Sequence, residues 1–178
     1  TSAETRMTVF SRRFGGLTVC LVATTALACS RAEPVGLPAA HAAAIRDSVR
    51  ATLVGYVNRF DAADWDSVGR FYLDDPRFVW AEDGQIGYRS VKQIRDAFSA
   101  FHASTWTRME FPDPEILALA PGSASVVTSF RQTVTDSTGR PFTVSGVMML
   151  ALLHQPGGWK FVSGHTSTEK PAVGVKPG

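Results

Sequence analysis

The feature that most constrains this chain is a change of period near Thr105. Upstream, apolar residues recur every three or four positions; downstream, they alternate. From His41 to Phe60, Ile45, Val49, Leu53, Tyr56 and Phe60 follow at steps of four, four, three and four, with Val57 beside them. That spacing predicts one face of a long amphipathic helix. Asp64 is placed to cap a second helix carrying Trp65, Val68, Phe71 and Tyr72 on one side, with Asp74-Asp75-Pro76 as its end. Two short strands, 77–81 and 85–88, flank the turn Asp83-Gly84. Ser90 with Gln93 three positions on has capping-box spacing, and Val91, Ile94, Phe98 and Phe101 form the stripe of a third helix.

Beyond Thr105 the chain reads as strands. The segments 105–111 and 115–119 are extended around Pro112 and Pro114, which predict a break between them. Long strands over 124–135, 140–153 and 159–167 are separated by turns at Asp136-Ser137-Thr138-Gly139 and Gln155-Pro156-Gly157-Gly158. Helices first and an antiparallel meander after them make an α+β domain. With 178 residues, 44% hydrophobic and 19% charged, the chain can bury one core.

Residues 1–29 stand apart. Arg12 and Arg13 precede an apolar run from Leu17 to Ala28, too short for a stable transmembrane helix and shaped like an export signal. The run ends Ala26-Leu27-Ala28-Cys29, which resembles the lipobox of bacterial lipoproteins, in which the cysteine is acylated; ordinary cleavage near Ala28 is the alternative. The expected organisation is a signal peptide over 1–29, a tether over 30–40, a folded domain over 41–168 and a tail over 169–178. The expected location is outside the cytoplasm, periplasmic or held at the membrane through Cys29. Cys20 and Cys29 are the only cysteines, so the domain has no disulfide and no thiol nucleophile. The leader carries a formal charge of +2 and the rest of the chain is neutral, which speaks against nucleic-acid binding.

Three stretches then carry a family resemblance: Tyr56 to Asp66, Phe71 to Pro76, and the closing Trp159-Lys160-Phe161-Val162-Ser163-Gly164-His165-Thr166-Ser167. In order and spacing they resemble the nuclear-transport-factor-2-like superfamily, and within it the SnoaL-like or DUF4440 type. The resemblance implies a cystatin-like α+β barrel, a cone-shaped curved antiparallel sheet wrapped around three N-terminal helices with a cavity at the wide end. It also implies a homodimer through the outer sheet face. Members include isomerases, dehydratases, cyclases and proteins with no chemistry, so the fold alone does not name an activity.

Aligned with the steroid-isomerase branch, the oxyanion-hole tyrosine falls on Tyr56. The general-base aspartate falls on Trp80 and the second acid near Met148 or Met149, none of which transfers a proton. Of the histidines, His154 reads as a turn residue and His102 as a helix cap. Alternation along the last strand puts His165 on the face of Trp159 and Phe161, either pointing into the cavity or hydrogen-bonding a neighbour. Arg131 is considered as an inward-facing residue, and Arg108 with Glu110 as a surface pair. The expected cavity wall is Tyr56, Tyr72, Trp80, Trp106, Met148, Met149 and His165, suited to a small hydrophobic or aromatic molecule, although Trp80 and Trp106 could equally fill the core. Catalysis, if present, would use His165 with Tyr56 or Tyr72. No cofactor and no metal are expected.

Overall fold

The computed structural model describes residues 36–99, 106–135 and 138–169. Cys20, Cys29, Phe101 and His102 lie outside these, as do the leader and most of the tail, and for Trp106 only the backbone is described.

Helix α1 (Ala39–Asp61) buries Ile45, Val49, Leu53, Tyr56 and Phe60, the stripe expected from its spacing. Its C-terminal end is tied to the sheet: Thr107 Oγ1 donates to the Phe60 carbonyl at 2.9 Å, and Asp61 Oδ1 accepts from the Met109 amide at 2.7 Å. Helix α2 (Trp65–Gly69) is capped by Asp64, which accepts from the Ser67 amide. It ends earlier than the sequence suggests. Phe71 to Leu73 leave the helix and lie extended beside the last strand, with Tyr72 bridged to Phe161. The reason is tertiary: the backbone of Phe161 donates to Phe71 and accepts from Leu73, two bonds that outweigh one more helical turn.

Strands β1 (Val79–Glu82) and β2 (Gln85–Tyr88) form the hairpin, with Gly84 at φ +83° in its turn. Helix α3 (Val91–Ser99) begins as a capping box, Ser90 Oγ accepting from the Gln93 amide and Gln93 Oε1 from the Arg89 amide. Strands β3 (Trp106–Glu110), β4 (Glu115–Ala120), β5 (Ser123–Thr135), β6 (Pro141–Gln155) and β7 (Gly158–Thr168) complete the sheet. The prolines do break β3 from β4: both pair with β5, β4 along Ser123–Val127 and β3 along Arg131–Thr135.

The α+β class and the helices-then-sheet order hold, with two differences in the sheet. Its order is β2-β1-β7-β6-β5-β3 and its edges do not meet, so it is an open, curved sheet rather than a closed barrel. It is also mixed, because β1 runs parallel to β7 while the other pairs are antiparallel. A parallel pair needs a long crossover connection, and the chain between β1 and β7 supplies it. On the inner face, Ala124, Val126, Phe130, Met148, Leu150, Leu152, Trp159 and Phe161 share one buried core with Ile45, Val49, Leu53, Tyr56 and Phe60 of α1. Trp159 also donates its indole N–H to Ser48 Oγ at 2.9 Å, joining β7 to the first half of that helix.

Candidate functional site

Between α1, α3 and the inner face lies a cavity of about 220 Å³. Helices contribute Tyr56, Phe60, Ile94 and Phe98; the hairpin contributes Trp80, Glu82 and Tyr88. The long strands close it with Met109, Phe130, Gln132, Met148 and Thr166, and Tyr72 stands at its inner end. A larger depression of about 510 Å³ lies on the outer face near Ser129, Arg131, Ser145 and Glu169. Its wall mixes Pro112, Phe130 and Val147 with serines, Thr168, Arg131 and Glu169, whereas the inner cavity is walled mainly by aromatic and apolar side chains, the lining that suits burial of a small apolar ligand.

At the deep end the hydroxyls of Tyr56 and Tyr72 lie 2.9 Å apart, and both residues are almost fully buried. Burial pushes Tyr56 up to about 12, the Tyr72 hydrogen bond only partly opposing it. Burial likewise holds Tyr72 well above the usual phenol range, helped by its neighbour Tyr56. Both stay neutral at any physiological pH. One proton of the pair is shared and the other is free for a ligand oxygen, so the pair can donate to a hydroxyl or carbonyl.

Glu82 sits at the mouth, where its side chain still meets solvent. Desolvation nonetheless raises its pKa; a hydrogen bond with the Trp80 side chain opposes the shift, and Asp83 adds to it. Tyr88 beside it is raised by burial and by the Glu82 charge. Among the described residues the cavity wall holds no Lys, Arg or His.

Tyr56, Tyr72, Trp80 and Met148 thus come together as the sequence suggests, and the structure adds Glu82, Tyr88, Phe98 and Thr166. Met149 and His165 do not join them. They pair with each other across β6 and β7 and line a shallow outer recess with Val79, Ala81 and Ala151. The cause is a β-bulge. Leu152 faces Phe161 and Ala151 faces Ser163, leaving Val162 as an extra residue. From there alternation along β7 is inverted: Gly164 and Thr166 face inward, His165 outward. The expectation that His165 shares the face of Trp159 and Phe161 is therefore corrected. Gly164 was the available signal, since an isolated glycine in a strand often marks a bulge or a close approach. Both apply, because any side chain there would collide with the Trp80 ring. Glu82 lies one residue beyond the strand expected over 77–81, and alternation from Trp80 puts it on the inner face. His154 is exposed at its hairpin as expected, its ring edge-on to Trp159. Arg131 is exposed on the outer face near Glu110, which also pairs with Arg108 at 2.9 Å.

Comparison with known proteins agrees with this architecture. The sequence profile described as the SnoaL-like domain matches residues 49–171. The chain belongs to the SnoaL-like domain family. A nuclear transport factor 2-like superfamily protein from Salmonella enterica superposes with a TM-score of 0.62 at 17% identity, covering 76% of this chain and 98% of its own. A ketosteroid isomerase-like protein from Erwinia carotovora gives 0.56 at 20% identity, covering 70% and 96%. A protein with a cystatin-like fold from Caulobacter vibrioides gives 0.57 at 23%, covering 71% and 90%. These likenesses speak for the fold. No curated protein matches the sequence. For this SnoaL-like domain, the chemistry has to be read from its own residues.

Proposed function

We propose that this SnoaL-like protein binds a small apolar or aromatic molecule in the inner cavity, with a hydroxyl or carbonyl of that molecule turned toward Tyr56 and Tyr72. The observation that carries the reading is a 220 Å³ space walled by aromatic rings and methionines, with a neutral hydroxyl pair at its end. Apolar surface removed from water contributes about 25 cal/mol per Å², and one well-placed hydrogen bond fixes orientation. A catalytic form of the same reading would run through Glu82, the carboxylate that reaches the cavity, and not through His165 on the opposite side of the sheet.

The test is a titration with 2-naphthol, followed by tryptophan fluorescence. Met148→Asp should weaken binding at least tenfold, because it sets a carboxylate in the apolar wall. Met149→Asp should leave binding unchanged. Failure of 2-naphthol to bind, or equal effects of the two substitutions, would remove the cavity from consideration.

A second reading rests on the outer face, where Val127, Val147 and Met149 are 37%, 47% and 49% exposed on neighbouring strands and Leu117 on β4 is 61% exposed. We infer that this strip mediates a homodimer, and sedimentation velocity of Val147→Asp should shift the population to monomer. For the leader, the proposal remains acylation at Cys29 after export: palmitate label should enter the wild type and not Cys29→Ser. Stable anchoring would require more than one acyl chain.

A further inference from the structure

We propose that the ligand is an organic cation, its ammonium held at the cavity mouth between Glu82 and the rings of Trp80, Tyr88 and Phe98. The inference rests on the binding role given to the inner cavity and names the chemical class that cavity takes. The first observation is electrostatic. Among the described residues Glu82 is the one wall residue charged at neutral pH, and the nearest other charge acting on it is Asp83, also negative. The carboxylate keeps contact with solvent, and within the wall it meets a hydrogen bond from Trp80 and no opposite charge, so a cation entering the cavity would be drawn to it.

The second observation is the set of rings. Trp80, Tyr88 and Phe98 line the same cavity as Glu82, and behind them Tyr72 meets Trp80 edge to face at 5.6 Å and lies tilted to Phe98 at 6.1 Å. Aromatic faces attract a cation through their quadrupole, most strongly where water is excluded. A neutral ligand would use the same surface but leave Glu82 uncompensated. An ammonium on an apolar body satisfies both the carboxylate and the rings, while a hydroxyl on its far end reaches Tyr56 and Tyr72.

Choline and 3,3-dimethylbutan-1-ol share size, shape and hydroxyl and differ by one positive charge. Each is titrated into the protein while the indole N–H resonance of Trp80 is followed by NMR. Choline should bind at least tenfold more tightly than the alcohol. Glu82→Gln should bring choline down to the alcohol's affinity and leave the alcohol within twofold. Equal affinities in the wild type, tighter binding of the alcohol, or a choline affinity untouched by Glu82→Gln would each overturn the cation assignment while leaving the cavity reading in place. If neither compound moves the Trp80 resonance, the cation assignment falls, and the 2-naphthol titration decides the cavity reading separately.

Discussion

Met148 and Met149 are adjacent in the chain and live in different solvents. Met148 is 6% exposed in the cavity wall, opposite Thr166; Met149 is 49% exposed on the outer face, opposite His165. The inner face of β5, β6 and β7 is ordered by packing against α1 and by aromatic contacts, such as Tyr56 with Phe161 at 5.3 Å and Tyr72 with Phe161 at 5.4 Å. The outer face of the same strands carries Ser125, Val127, Ser129, Arg131 and Thr133, a mixture with no continuous core requirement. Because side chains alternate with a period of two, a single inserted residue is enough to exchange the two environments. In β7 the bulge at Val162 does this between Phe161 and His165. Face identity therefore belongs to local register and not to residue type: a methionine is core or surface according to one step along the chain.

The largest expected effect tests that contrast at its sharpest point. Met148→Asp should cost on the order of 4 kcal/mol or more, because it buries a carboxylate without a partner. Met149→Asp should move the folding of the monomer by about 0.5 kcal/mol or less, its effect falling instead on self-association. Urea denaturation of both variants measures the difference, and similar losses would mean that the two faces are not distinct. Next in size, Trp159→Ala should destabilise by about 3–5 kcal/mol, since that ring is 5% exposed and also gives up its bond to Ser48. A loss below about 1 kcal/mol would show that β7 does not depend on this anchor.

The contrast also explains what could be read in advance. The helix α1 stripe, the Asp64 cap, the Ser90 capping box and the proline break before β4 are local signals, each settled within four residues. Tyr56, Trp80 and Met148 are singled out by the alignment with the steroid-isomerase branch, which does not separate Met148 from Met149, and Tyr72 by its aromatic ring; all four line the inner cavity. The face of His165 is not legible in the same way, because the bulge depends on how β7 meets β6, where Leu152 faces Phe161 and Ala151 faces Ser163. The early end of α2 has the same origin, a pairing between Tyr72 and Phe161 that no local window contains. Glu82 is within reach of simple alternation from Trp80, because the strand runs one residue past Ala81.

The smallest expected effects concern two carboxylates whose surroundings push them in opposite directions. Asp75 is held at about 2 by hydrogen bonds from Arg77, its side chain first and its backbone amide next, and by the guanidinium charge. Its folded pKa lies below that of the unfolded chain, so its contribution is present above the usual aspartate range and is lost as pH falls toward 2. Glu82 is raised by desolvation, so folding favours its protonated form. Its contribution is present below the usual glutamate range and fades as pH rises through the folded value. Carboxyl carbon NMR titration should therefore place Asp75 below ordinary aspartates and Glu82 above ordinary glutamates. Glu82→Gln should gain slightly in thermal stability at pH 7 relative to wild type and lose that advantage near pH 4. The gain should be small, because the carboxylate still reaches solvent and exposed charges are screened. Bound choline should draw the Glu82 titration back down, since a cation stabilises the ionised form. A Glu82 resonance titrating in the ordinary range without choline, and unmoved by it, would place that carboxylate in bulk solvent and leave the mouth of the cavity no different from the outer face.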